Sequence, residues 1–268
     1  MIKQKEFLAL TAALVFASAA NVTAQNATDN KNVTRVSSEM EDKAFDIADK
    51  AEDLLAYNGD YSATITLVVE KPGKPKENLQ FKMFERIEKE QMTMVQLFPE
   101  ADKGQGYLRD GDNFWTYDPV SRKFNHSSLK EALGDSDVKV DDVTNQKEKW
   151  RKNYECTGFN DGTLGKYEVY VITLHAISSE PSYAYSTYYI RKDVNLPLKI
   201  EDFSTTNRLM RTTLLPKYAK VPQGYVATQA IVRDELNKGE QTQQIVSELT
   251  FDSLPDNIFT KAYLEGLN

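Results

Sequence analysis

The sequence of 268 residues has little cysteine, little histidine and no excess of positive charge. Cys156 is the only cysteine, so the chain cannot form an internal disulfide or a cysteine-rich metal site. His126 and His175 are the only histidines, which argues against a histidine-rich metal centre. Lysine and arginine number 33 against 40 aspartates and glutamates, for a formal net charge of −7. We therefore expect no metal site and no basic surface for nucleic acid.

Familiar catalytic motifs are also missing. The sequence contains no Gly-x-Ser-x-Gly elbow, no His-Glu-x-x-His motif, no Walker loop and no Cys-x-x-Cys pair. No cysteine, serine or carboxylate of the usual catalytic kind accompanies either histidine. We expect no catalytic residue, no cofactor and no enzymatic activity. A pocket holding two close carboxylates with strongly shifted pKa values would favour an enzyme instead.

The N-terminus has the pattern of a secretory signal peptide over residues 1–24. Lys3 and Lys5 precede a short apolar run, and small residues allow cleavage after Ala19 or Ala24. No cysteine follows the run, which argues against lipidation of the mature chain itself. We expect a periplasmic protein, secreted across the inner membrane of a Gram-negative bacterium.

Beyond a polar leader at 25–36, which we expect to be flexible, the spacing of apolar residues indicates regular structure. Steps of three and four residues predict an amphipathic helix over 38–57. Alternating patterns from residue 61 onward predict about ten or eleven strands, separated by turn signals such as Asp-Gly-Asp at 110–112. The acidic segment 129–150 is predicted to be partly helical, and 255–266 to form a closing helix.

This order of elements predicts a mainly β (α+β) fold in a single domain over 37–268. One antiparallel sheet with so many strands must curl. With helices covering one face, the simplest result is an unclosed β-barrel with helices in its mouth. The interior of such a barrel holds side chains or a ligand.

Apolar side chains on the predicted strands are the candidates for lining a hollow, because unbranched methionine side chains suit a cavity that must adapt to flexible chains. Alternation places Trp115 and Tyr117 on one strand face and Phe114 on the other, without deciding which face is inside. The lining candidates are Ile65, Leu67, Phe81, Met83, Met92, Met94, Leu108, Trp115, Tyr117, Tyr185 and Tyr189. The candidates for a lid, on the first helix and in the acidic segment, are Ile47, Ala51, Leu54, Leu55, Val138 and Val140.

One stretch carries a family resemblance. Residues 104–119 read Gly-Gln-Gly-Tyr-Leu-Arg-Asp-Gly-Asp-Asn-Phe-Trp-Thr-Tyr-Asp-Pro. This resembles the G-Y-L-R-x-G-D-N-x-W-x-Y-x-P stretch of the outer membrane lipoprotein-sorting proteins, a LolA-like family. Residues 136–143, 196–201 and 254–261 resemble later segments of the same family in the same order. The resemblance covers about residues 60–268 and implies a LolA/LolB-like unclosed barrel with a helical lid and an apolar cavity for acyl chains.

The resemblance also implies a function. We expect a non-enzymatic carrier that holds acyl chains of lipoproteins or lipids for transfer to the outer membrane. Its partners would be lipidated proteins or lipids, an inner-membrane transporter and an outer-membrane acceptor, and the chain would be a monomer. Alternatively, the same half-barrel acts as a periplasmic sensor or as an accessory subunit of an envelope lipid transporter.

Overall fold

A computed structural model describes residues 34–55, 59–143, 150–222 and 224–267 of the chain. The predicted signal peptide and residues 25–33 of the predicted leader lie outside these residues. No helix in the described part of the chain has the length and hydrophobicity needed to cross a membrane.

Within the described residues, thirteen strands form one antiparallel sheet. The strands are β1 (Asp60–Glu70), β2 (Glu77–Arg86), β3 (Gln91–Phe98), β4 (Gly106–Asp110), β5 (Asn113–Asp118), β6 (Lys123–His126), β7 (Tyr154–Leu164), β8 (Tyr167–Ala176), β9 (Tyr185–Arg191), β10 (Pro197–Phe203), β11 (Leu209–Val221), β12 (Gly224–Asp234) and β13 (Gln241–Thr250). Strands β1 to β6 form one half of the sheet and β7 to β13 the other, and within each half every strand pairs with the next strand in sequence. The two halves are joined by the pairing of β1 with β13. The sheet is open, because β6 and β7 end it without pairing with each other in the described part of the chain.

The described residues contain few helices, and all but the first are short. They are α1 (Ser38–Leu55), α2 (Val140–Val143), α3 (Trp150–Asn153) and α4 (Lys261–Glu265), with 3-10 turns at Ile87–Lys89, Glu100–Asp102 and Asp256–Phe259. The structure therefore confirms the predicted fold class, an unclosed barrel of one curved sheet with helical additions.

The predicted elements differ from the structure mainly at the edges of the sheet. Strands β6 and β7 were not among the predicted strands, which is why thirteen replace ten or eleven. β7 carries two glycines and several polar residues, as is common for a strand with one free edge, and this weakens its alternating pattern. The predicted helix over 38–57 is α1, and residues 56–58 at its end lie outside the described residues.

Helix α1 packs on the face of β7 and β8 that carries Ile172 and Leu174, through buried side chains that include Phe45. Glu41 accepts hydrogen bonds from the Cys156 backbone N–H at 2.9 Å and from Arg35 Nε at 2.8 Å. Burial raises the pKa of Glu41, but these two partners outweigh it and leave the pKa below its usual value. A buried carboxylate thus holds the first turn of α1 against the edge strand.

The other end of α1 lies against the start of β12. A Cβ added to Gly224 would stand 2.1 Å from the carbonyl oxygen of Leu54. We expect Gly224→Ala to displace the end of α1 and to raise hydrogen exchange of the amides of residues 48–55. The control is Gly165→Ala, which has φ of +59° but no atom within 4 Å of an added Cβ. Equal exchange of α1 in both variants would show that the close approach does not hold the helix.

The outer face of β3–β5 is covered by the C-terminal segment. Ile258, Phe259 and Leu264 are buried, and Thr93 Oγ1 donates to the Ile258 carbonyl at 2.8 Å. At the start of this segment, Arg86 donates to both carboxylate oxygens of Asp60, at 2.9 and 3.0 Å. The predicted closing helix is therefore an outer cover, made of a 3-10 turn followed by α4.

Low pH should weaken the attachment of the C-terminal segment to the sheet. The hydrogen bond and charge of Arg86, with the Leu254 N–H, hold the pKa of Asp60 below its usual value of 3.8. A lowered pKa contributes stability that is present above the unfolded pKa and is lost as pH falls through the folded pKa. We expect residues 254–267 to lose protection from proteolysis below about pH 4. In Asp60→Asn this loss should already be present at pH 7, whereas Glu265→Gln, at an exposed carboxylate of the same segment, should resemble the wild type.

Candidate binding cavity

A cavity of about 680 Å³ lies between α1, residues 127–143 and the strands β9 to β13. Apolar groups on its wall come from α1, β1 and the last strands of the sheet. They include Ala48, Ala51, Leu55, Ile65, Met83, Phe114, Ile190, Ile200, Leu215, Val226, Val246, Leu249 and Phe251. This volume is within the range of small-molecule and lipid sites in proteins.

The hollow occupies only one half of the concave face. On the other half, Leu67, Phe81, Met92 and Met94 are buried in a solid core, into which Val138 and Val140 also pack. Residues 129–143 therefore pack on this part of the sheet rather than forming a lid over an open cavity. The prediction that these four strand residues line an open cavity was wrong, because side chains from residues 129–143 fill the space above them.

Among the remaining candidates, Ile65 and Met83 lie on the cavity wall, and Ala51 and Leu55 face it from α1. Ile47 is buried between α1 and the β7–β9 region. Leu54 is half-buried, and its carbonyl meets Gly224. The structure thus brings four of the predicted residues together around one hollow.

Leu108, Trp115 and Tyr117 lie on the outer face of the sheet and not in the cavity. They pack with Leu264 under the C-terminal segment, and Lys261 Nζ lies 4.4 Å from the Trp115 ring centre. Phe114, on the opposite face of β5, lines the cavity. The prediction was wrong here because the C-terminal segment makes the outer face of β3–β5 as apolar as the inner one.

Tyr185 and Tyr189 also lie on the outer face. Tyr185 stacks on His175 at 4.7 Å, and Tyr189 donates to Glu201 at 2.8 Å. The alternate residues of β9 face the cavity instead, namely Ser186, Tyr188 and Ile190. This prediction was wrong because the outer residues of β9 are the more aromatic set, although they are only half-buried.

Tyrosines form a large part of the wall that sequence reasoning missed. They are Tyr61, Tyr154, Tyr183, Tyr188, Tyr218 and Tyr225. Tyr218 donates to the Pro197 carbonyl at 2.6 Å, and burial raises the pKa of Tyr183 to about 12. Each ring contributes apolar surface and carries a hydroxyl that can form hydrogen bonds. The cavity is therefore oily but carries hydrogen-bonding groups.

One end of the cavity carries an ion-paired cluster. Arg211 donates from Nε to Asp202 at 2.8 Å and from Nη1 to Asp142 at 2.6 Å. Ser186 donates to Asp202 at 2.7 Å, and Ser182 donates to Asp141 at 3.0 Å. Burial raises the pKa of Asp202 and of Asp141, because it disfavours the charged carboxylate. No sequence motif pointed to this cluster, since Asp142 and Arg211, for example, are 69 residues apart.

Another acidic group lies elsewhere in the described structure. Carboxylate oxygens of Asp137, Asp234 and Glu240 lie within 4.8 Å of one another, a spacing that suits a divalent cation. Asp137 accepts from Thr242 Oγ1 at 2.9 Å, and Asp234 accepts from the backbone N–H of Leu236 at 2.7 Å. These bonds account for the cluster as part of the loop packing, so we assign no ion to it.

A family model described as "-like: Uncharacterized protein" matches residues 88–266. No curated protein matches the sequence. Among solved structures, a LolA superfamily protein from Nitrosomonas europaea is similar with a TM-score of 0.71 at 21% identity, covering 82% of this chain and 98% of that one.

Two further structures share the fold. A domain assigned to the outer membrane lipoprotein-sorting proteins, from Vibrio parahaemolyticus, has a TM-score of 0.73 at 18% identity, with 84% of this chain and 99% of that one covered. A DUF1329 family protein from Desulfovibrio piger has a TM-score of 0.74 at 20% identity, with 84% and 98% covered. These likenesses confirm the resemblance found in the sequence at the level of the fold. The chain belongs to the family whose model spans residues 88–266, and its fold is that of the LolA superfamily.

Proposed function

We propose that the protein is a periplasmic, non-enzymatic carrier that holds acyl chains of lipoproteins or lipids for transfer to the outer membrane. The supporting observation is the 680 Å³ cavity, which the side chains of the curved sheet leave open. The lipoprotein-sorting assignment of the Vibrio parahaemolyticus neighbour points the same way. Residues 1–24 would serve as its signal peptide.

The wall of the cavity suits a carrier that must also release its cargo. Transferring acyl chain out of water is favourable by about 0.8 kcal/mol per CH₂ group, so an oily hollow holds a chain without chemical bonds. Tyrosine hydroxyls, Gln244 and the ion-paired cluster interrupt the apolar wall. These polar groups keep the affinity below that of a fully apolar pocket, which allows the chain to pass on to a membrane or an acceptor.

Helix α1 is the proposed lid. Ala48, Ala51 and Leu55 face the cavity, while the opposite side of α1 carries Asp42, Asp46 and Asp49. Arg151 pairs with these three exposed carboxylates at 3.0 to 3.4 Å. Exposed ion pairs of this kind contribute little free energy, so the helix is held chiefly by its apolar face. Moving α1 away from β12 would open the cavity to a donor or an acceptor.

The test is to identify bound lipid. We expect mass spectrometry of organic extracts of the purified protein to find co-purified lipid, and the delipidated protein to take up a fluorescent fatty acid. Absence of both would refute the carrier. A stable protein partner together with an empty cavity would favour the sensor or accessory subunit instead.

A further inference from the structure

The cavity changes in character along the strands. We define its ion-paired end by Ser182, Tyr183, Ser186, Asp202, Arg211, Asp141 and Asp142, all of which line it. Two cations here lie on one aromatic ring: the Arg211 guanidinium is 4.8 Å and Lys139 Nζ 4.4 Å from the Tyr183 ring centre. Asp202 and Arg211 are largely buried, with side chains 4% and 12% exposed. A ligand group placed here would meet charges of both signs within a few ångströms.

The opposite end of the cavity has a mainly apolar wall, although the charged residues Glu52 and Asp112 also line the cavity. We define the apolar end by Leu55, Ile87, Tyr225, Leu249 and Phe251. The strand register gives the distance between the two ends. Arg211 on β11 pairs with Asp234 on β12, and the adjacent Arg233 pairs with Gln241 on β13. Gln241 is therefore near the level of Arg211, and Leu249 follows it eight residues later on β13. At about 3.3 Å per residue the two ends are roughly 26 Å apart along the strands. The cavity therefore has the length and the polarity of an amphiphile.

The charge of the ion-paired end selects among headgroups. Four carboxylates lie at this end, those of Asp141, Asp142, Glu180 and Asp202. The cations there are Arg211 and Lys130 on the wall and Lys139 behind the Tyr183 ring, so the formal net charge is negative by one. A headgroup with a net negative charge would be repelled by the excess negative charge at this end. In a zwitterionic headgroup, the ammonium group can pair with the carboxylates and the phosphate can pair with Arg211. Resting on the proposed carrier function, we propose that the cavity binds a zwitterionic, ammonium-bearing amphiphile such as an aminophospholipid. Its head lies at the ion-paired end and its chain extends to the apolar end.

Photolabelling tests the orientation of the bound amphiphile in the cavity. One phosphatidylethanolamine probe carries a diazirine in the head beside an intact ammonium group, and a second carries it at the end of an acyl chain. We expect the head probe to label residues 182–186 and 202–211 of the full mature chain, and the chain-end probe to label 55 and 249–251. Reversed or identical labelling would overturn the orientation while leaving the carrier intact. Failure of both probes to bind would overturn the carrier and the orientation together.

Headgroup selectivity gives an independent measurement. We expect tighter binding of phosphatidylethanolamine than of phosphatidylglycerol, and a ratio of affinities that falls about fivefold or more in Asp142→Asn, which removes one negative charge from the ion-paired end. The control is Asp193→Asn, a carboxylate 61% exposed in the turn after β9 and outside the cavity. A wild-type preference for phosphatidylglycerol would overturn the assigned headgroup. If Asp142→Asn fails to fold, the wild-type ratio and the photolabelling still decide.

Discussion

Replacing Val246 with tryptophan is expected to weaken binding of a fluorescent fatty acid by the delipidated protein strongly. Val246 lies on β13 and faces the cavity between Gln244 and Leu249. A bulky ring there occupies the space that the acyl chain needs. Forcing a ligand into an overfilled site costs about 1–3 kcal/mol, so the affinity should fall by about tenfold or more. Titration of the fluorescent fatty acid measures this directly.

The adjacent residue is a matched control. Ile245 lies on the opposite face of β13 and is 37% exposed, so Ile245→Trp adds the same ring outside the cavity. We expect Ile245→Trp to bind the fatty acid as the wild type does, with similar far-UV circular dichroism in all three proteins. Unchanged binding by Val246→Trp, in a folded protein, would mean that the acyl chain does not enter this hollow.

Replacing Arg211 with methionine is expected to lower the stability of the protein more than any other change discussed. Arg211 is the partner of Asp202, whose side chain is 4% exposed, and it also binds Asp142. Removing one partner of a buried ion pair leaves an uncompensated charge and typically costs about 3–5 kcal/mol. For a domain of this size the melting temperature should fall by about 6–20 °C. Thermal unfolding followed by circular dichroism measures the change.

Two further variants test whether the lower stability of Arg211→Met comes from the unpaired charge. In Arg211→Met combined with Asp202→Asn, the buried carboxylate charge is gone, and we expect a substantial part of the lost stability to return. Lys103→Met is the control, because it breaks an exposed ion pair in which the side chain of Lys103 is 56% exposed and that of Glu100 is 80% exposed. It should change the melting temperature little. If the double variant were no more stable than Arg211→Met, the buried charge of Asp202 would not be the cause, and the loss would come from Asp142 or from the packing of the guanidinium on Tyr183.

Much of the fold could be predicted from local patterns. The apolar spacing of α1 and the alternation in β1, β2 and β8–β13 are properties of short segments, so they predict these elements without tertiary information. The turn Asp110–Asp112 likewise marks the hairpin between β4 and β5. β7 escaped prediction because an edge strand needs apolar residues on only part of one face.

The inner and outer faces of the strands could not be assigned in the same way. Alternation separates Phe114 from Trp115, but both sets are apolar because α4 and the preceding turn cover the outer side. On β9 the more aromatic set faces outward, which misled an argument based on side-chain type. The side of a strand that faces the interior depends on which distant segment covers each face.

The sequence by itself determined a curved antiparallel sheet, a single long helix and the lack of recognisable catalytic chemistry, since these follow from local spacing and composition. Only the tertiary structure decided where the hollow lies. Residues 129–143 fill the space over Leu67, Phe81, Met92 and Met94, the hollow stays open beneath α1 and along β9–β13 and β1, and Arg211 meets Asp142 across 69 residues of chain. The physical reason is that cavities and buried ion pairs are formed by segments far apart in sequence, whose mutual packing no local pattern records.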